Sequence, residues 1–265
     1  MTHLIEWNAV SRGRYIALAA IACLIGGAIL AWQNPWRDDP ARATVGEAVE
    51  RFRQGGAASG DGPSGAPLGV YRYRTRGSES ADTGLLSATH EYDGISTIIL
   101  SRSRCGVRER WQILAGRWSE ADFCIPPHGS GLREINEFHE FFGNGRENAY
   151  RCRGRAPSRR LLRRAGTRFS SRCESDASTA DSETRVRGVE TVEVGDESIA
   201  AMHTTSRVAL DGDVSGFTTR DDWRRRSDGL LLRRTVDAEA KRSGAINADY
   251  AERYTIELLS INPRR

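Results

Sequence analysis

The sequence predicts a mainly β domain, a strongly curved antiparallel sheet with one short packed helix, set behind a single N-terminal transmembrane helix. Three observations lead there. From about Leu68 onward, short runs alternate apolar and polar residues, parted by turn pairs at Asp93-Gly94, Ala115-Gly116, Gly195-Asp196, Asp211-Gly212 and Asp228-Gly229. Residues 15–32 carry no charge over 18 positions, close to the roughly 20 that cross a bilayer. Past them lie four cysteines, Cys105, Cys124, Cys152 and Cys173, an even number that fits an oxidising compartment.

The anchor comes first. Tyr15 stands at its near end and Trp32 and Trp36 at its far end, where amphipathic rings prefer the headgroup level. Arg12 and Arg14 precede it, so the positive-inside bias leaves residues 1–14 in the cytoplasm as a tail too short to fold. The rest is then extracytoplasmic at the cell membrane. Two other readings compete: cleavage near Gly26-Gly27-Ala28, and lipidation of Cys23. The apolar run continues past both points to Trp32, which favours a retained anchor.

Residues 33–67 read as a juxtamembrane helix and linker. Thr44 and Glu47 have the form of a capping box. Val45, Ala48, Val49 and Phe52 share one helical face, ending near Gln54. Residues 55–67 hold five glycines and two prolines, the composition of a flexible tether. The extracytoplasmic β-domain is expected over residues 68–265.

Within that domain Tyr71, Tyr73 and Thr75 fall on one face of a strand and Arg72, Arg74 and Arg76 on the other. The last strand puts Tyr250, Glu252, Tyr254, Ile256 and Leu258 on one face. Residues 131–143 fit a helix or a strand, and their flanking glycines favour the strand. Roughly ten strands must curl, close or split into layers.

Four cysteines allow three pairings. Cys105 opens one arm of the Ala115-Gly116 hairpin and Cys124 closes the other, and the expected bonds are Cys105–Cys124 and Cys152–Cys173. No C-x-x-C occurs and the five histidines do not cluster along the chain, so no metal or redox site is expected.

Catalytic signatures are missing. His90-Glu91 and His139-Glu140 do not extend to a zinc-protease motif, and there is no nucleophile elbow or phosphate loop. Asp221 and Asp222 are adjacent on a strand, so they face opposite sides. No enzyme activity and no cofactor are expected. Of 39 basic residues one, Lys241, is lysine, and the net charge is only +4. That charge does not call for a nucleic-acid partner. The arginine run Arg151, Arg153, Arg155, Arg159, Arg160, Arg163, Arg164, Arg168 and Arg172 is the one concentrated charge feature. It reads as a solvated loop or, alternatively, as an anion-binding loop for lipid headgroups or wall polymers.

Residues 218–232, TTRDDWRRRSDGLLL, place a tryptophan-ending strand before an Asp-Gly-Leu turn and an arginine-bearing strand. This hairpin resembles that of LolA-like, lipoprotein-carrier-like proteins. The stretch 69–73, Cys105-Gly106-Val107, Trp111, Phe123-Cys124, residues 138–143 and the terminal strand also resemble a group of uncharacterised actinobacterial single-pass membrane proteins. The resemblance implies an open half-barrel wrapping an apolar cavity, with helix 44–54 as its plug, and a lipid or acyl-chain ligand. The cavity would be lined by Tyr71, Tyr73, Trp111, Phe138, Phe142, Trp223, Tyr254 and Ile256.

The function expected from all this is a membrane-anchored cell-envelope protein that binds an apolar or amphipathic ligand such as a lipid. The alternative is a non-enzymatic structural or interaction module meeting a protein partner or anionic wall polymer through its arginine-rich loop.

Overall fold

The computed structural model describes residues 40–55, 62, 65–125, 131–153, 164–244 and 247–265. The expected anchor, residues 15–32, lies outside them, as does most of the arginine loop, residues 154–163. Among the described residues, no helix is long and apolar enough to cross a membrane.

The described residues build one helix and thirteen strands: α1 (Val45–Gln54), β1 (Gly69–Asp82), β2 (Ser87–Glu91), β3 (Gly94–Arg102), β4 (Gly106–Leu114), β5 (Arg117–Cys124), β6 (Gly131–Phe141), β7 (Asn144–Arg153), β8 (Arg168–Glu174), β9 (Ser178–Val194), β10 (Glu197–Gly212), β11 (Val214–Arg225), β12 (Leu231–Arg242) and β13 (Ala248–Leu258). From β3 to β13 each strand pairs antiparallel with the next in sequence, and β1 joins β3 to β13. The result is a closed up-and-down barrel of twelve strands, with β2 added along β1. The open half-barrel of the resemblance is therefore corrected: pairing from Tyr73↔Leu258 to Asp82↔Asp249 closes the β1–β13 seam, and the narrowest joint is β7–β8, paired only from Arg151↔Glu174 to Arg153↔Arg172.

Most turn pairs lie where the sequence puts them, between β4 and β5, β9 and β10, β10 and β11, and β11 and β12. Asp93-Gly94 is the exception. It joins β2 to β3, which do not pair with each other. Both lie on the same edge of β1, one after the other. The ambiguous stretch 131–143 is strand β6 and its turn.

Alternation sorts the side chains. Tyr71, Tyr73, Ile98, Trp111, Tyr254, Ile256 and Leu258 face inward and form the main core, joined by Leu230, Leu231 and Leu232. A smaller cluster centres on Tyr150, Cys173 and Ala180. Both expected disulfides are present, Cys105–Cys124 at the open end of the β4–β5 hairpin and Cys152–Cys173 across β7 and β8.

Helix α1 does not plug the barrel. Its capping box is formed, Thr44 Oγ1 accepting from the Glu47 amide and Glu47 from the Thr44 amide. Ala48 and Phe52 are buried in the main core cluster. The Arg51 guanidinium donates to Gln112 Oε1 at 2.7 Å. Gln112 is in register with Thr97, the outward residues beside inward Trp111 and Ile98. The helix therefore covers the outer wall over β1, β3 and β4. This explains why Thr97 and Ile99 are buried although they point away from the lumen. The end of the glycine-rich segment is packed as well: Ala66 and Leu68 are buried, and the Tyr71 hydroxyl donates to the Pro67 carbonyl.

Candidate functional site

A twelve-stranded barrel is wider than the roughly eight-stranded one that side chains fill completely. Here the wall is uneven. Inward positions on β1, β3, β4, β12 and β13 carry large buried side chains. Inward positions on β8 to β11 alternate small hydroxyl residues, Ser171, Ser182, Thr184, Thr204, Ser206 and Thr218, mostly partly exposed, with the apolar Phe169, Ala180, Val186, Val208 and Leu210. Ser171 bonds Ser182 and Thr184 bonds Ser206, each at 2.8 Å across neighbouring strands. The inner face is thus densely packed over β1, β3, β4, β12 and β13 and mixed, with partly exposed hydroxyls, over β8 to β11.

Two ionic groups cross the packed side. In the first, Glu79 and Glu252 are cross-strand partners on β1 and β13. Arg117 reaches them from β5, donating to both Glu252 oxygens at 2.9 and 3.0 Å and lying 3.7 Å from Glu79. His90 Nδ1 and His139 Nδ1 lie 3.0 and 3.3 Å from the two Glu79 oxygens. Tyr250 donates to Glu79 and Tyr92 to Glu252. Burial alone would raise the Glu79 pKa, but bonds from His139 and His90 and the charge of Arg117 override it and hold it at about 2. His90 stacks on Phe141 at 4.4 Å, and Trp111 stacks on Tyr254 at 4.8 Å.

In the second group, Arg224 and Arg234 both reach Glu109 across the lumen, and Arg234 is bidentate to Asp222 at 2.6 and 2.9 Å. Burial would raise both carboxyls, yet these guanidiniums hold Asp222 and Glu109 below the usual carboxylate range. Arg220, from the same strand as Asp222, comes only within 3.8 Å of it.

Five of the eight residues expected to line a cavity, Tyr71, Tyr73, Trp111, Tyr254 and Ile256, do meet inside the barrel. They are packed against one another as core. The other three are elsewhere. Phe138 faces outward, stacked on Trp118 at 5.7 Å and lying over Gly145. Trp223 also faces outward, sandwiched by His203 at 4.3 Å and Arg233 at 4.9 Å. Phe142 sits in the β6–β7 turn at φ 55°. Outer aromatics such as Phe138 and Trp223 pack on the wall as readily as inner ones, and Phe142 lies outside the strands altogether.

Of the expected anion-binding arginines, Arg151 and Arg153 lie at the end of β7 and Arg164 precedes β8. Arg155, Arg159, Arg160 and Arg163 lie outside the described residues. Several described arginines here face acids: Arg153 and Arg172 lie 3.9 and 3.4 Å from Glu174, Arg172 lies 3.1 Å from Asp181, and Arg168 lies 3.5 Å from Glu183. An open depression of about 620 Å³ is bordered mainly by outward residues, among them Arg172, Asp181, Glu183, Arg207 and Phe217, and also by Ser171, Ser182 and Val208 of the inward rows.

The convergence of His90 and His139 on Glu79 went unread in the sequence. Its signal was a single charge in an otherwise uncharged alternating row, Tyr71, Tyr73, Thr75, Gly77, Glu79. No set of acids and histidines around it has the arrangement of a metal site among the described residues. Compared with protein families, curated proteins and solved structures, the chain matches none.

Proposed function

We propose that this is a cell-envelope binding protein, membrane-anchored and extracytoplasmic, that holds an amphipathic ligand such as a lipid inside its barrel and performs no chemistry on it. The observation that carries this reading is the row of partly exposed inward hydroxyls on β8 to β11, Ser171, Ser182, Thr184, Thr204 and Thr218, interleaved with apolar residues in a barrel of twelve strands. The two disulfides fit an oxidising, extracytoplasmic compartment, and residues 15–32 supply the anchor. The outer wall carries charges such as Arg74, Arg76, Glu183, Arg185, Asp237 and Arg253 at outward positions. That composition suits water rather than acyl chains along those strands.

The test is native mass spectrometry of the full chain, released from detergent after purification from a lipid-containing host under oxidising conditions. A co-purifying amphiphile, with a protein mass lower by the hydrogens of both disulfides, is the expected result. The disulfide mass without any adduct, and no binding of apolar dyes, would sink the reading.

A second reading has one observation in its favour. Phe217 is 53% exposed beside the outer depression, and Arg207 makes no ion pair or hydrogen bond among the described residues. An interaction module would use that face, and F217S would then abolish partner capture while leaving amphiphile binding untouched.

A further inference from the structure

We infer that the lumen holds a site for one oxyanion head, a carboxylate or a phosphate, centred on the Arg220 guanidinium. The inference deepens the amphipathic-ligand reading and rests on it.

The first observation is a charge count. Arg220, Arg224 and Arg234 gather around only two carboxylates, Glu109 and Asp222. Arg224 and Arg234 engage them with six hydrogen bonds of 3.5 Å or less. Arg220 is left with one approach of 3.8 Å, beyond hydrogen-bond reach. Guanidinium stays charged at any physiological pH. Within this group, three guanidiniums therefore share two carboxylates, and among the described residues Arg220 has no acid within hydrogen-bond reach.

The second observation is where that charge looks. Arg220 lies in register between Ser206 on β10 and Val236 on β12, both buried. Its other inward neighbours along β11 are Thr218 and Asp222. Yet its side chain is 37% exposed. By register Arg220 is an inward position of β11, so this exposed guanidinium belongs to the inner face of the sheet. Hydroxyls of Thr218 and Thr204 stand on the same wall, and hydroxyls complement an oxyanion that a guanidinium grips in bidentate fashion. Val208 and Leu210 continue that wall from Ser206 as half-buried apolar residues packed on the smaller core cluster. They provide a surface for an apolar tail beyond the head.

The experiment is calorimetric titration of the full chain, in a non-ionic detergent, with hexanoate, inorganic phosphate and hexanol as probes. Hexanoate or phosphate should bind. The Kd should rise at least about tenfold in R220Q and R220M, equal to a loss of about 1.4 kcal/mol, and stay unchanged in R185Q on the outer wall. Phosphate binding without hexanoate binding identifies a free oxyanion as the ligand. Hexanoate binding that phosphate does not displace identifies the head of an amphiphile. If the Arg220 variants fail to fold, phenylglyoxal labelling of the wild-type chain decides: the bound anion must protect Arg220 from modification. Hexanol binding with no anion binding, or anion binding that leaves Arg220 unprotected, overturns the site while sparing the lumen reading. Binding of no probe overturns both.

Discussion

Arg117 on β5 spans the barrel to Glu252 on β13, donating to both carboxylate oxygens at 2.9 and 3.0 Å. Its second neighbour is Glu79, which sits directly across the strand pair from Glu252. One guanidinium thus separates two buried carboxylates that would otherwise repel. R117M should destabilise the fold by roughly 3–5 kcal/mol, because it strands buried charge. Urea denaturation should show this. The double variant R117M/E252Q should be more stable than R117M alone.

Acid sensitivity follows from Glu79. Its folded-state pKa is depressed to about 2 from an ordinary 4.5. A depressed carboxylate contributes stability that is complete above about pH 4.5 and lost as the pH falls through about 2. Urea midpoints measured from pH 5 to pH 2, on the order of a few pH steps, should fall steeply in the wild type. The slope should be shallower in E79Q. Equal slopes would assign the acid response to other carboxyls.

Gly77 makes the seam possible. It adopts φ +143° opposite Tyr254, and a Cβ there would run into the Arg253 carbonyl and the Tyr254 backbone. Only glycine tolerates both the conformation and the approach. G77A should cost at least about 2 kcal/mol and raise hydrogen exchange selectively in β1 and β13. Unaltered exchange along that seam would show that closure does not depend on this residue.

The outer helix should report on barrel stability rather than on ligand access. Phe52 is buried beneath α1 against the outer wall. F52A should cost about 3 kcal/mol in thermal or urea unfolding. Amphiphile affinity in the folded protein should not change. A gain or loss of affinity would return the helix to a role at the cavity.

Cys152–Cys173 links β7 to β8, whose pairing is short, across 21 residues that include the arginine loop. Replacing both cysteines with serine should cost about 3 kcal/mol by loosening the closed loop of the unfolded chain. Limited proteolysis should then cut first between residues 154 and 163. Cleavage elsewhere first would mean that β7 and β8 hold without the bond.

Much of the inner face was legible because alternation belongs to a single strand. Tyr250, Glu252, Tyr254, Ile256 and Leu258 share a face by spacing alone, and that face is the lumen. The splitting of Asp221 from Asp222 is legible for the same reason, Asp222 turning in to Arg234 and Asp221 out to His203. The Cys105–Cys124 bond follows from one hairpin. Phe138 and Trp223 were misassigned because aromatic content does not distinguish a core face from an outer face stacked on Trp118 or His203.

Sequence by itself thus determined the β class, the inner faces of β1 and β13, the capped helix and the disulfides, all set by residues near one another in the chain. Tertiary structure alone decided that the sheet closes, that α1 lies outside, and that Arg117 meets Glu79 and Glu252 while Arg220 meets no acid within hydrogen-bond reach. Those outcomes depend on strand number and on the β1–β13 seam. They join residues as distant as Glu79 and Tyr250, 171 positions apart. No local pattern encodes such a meeting, because the energy that selects it arises only when the whole wall closes around a shared interior.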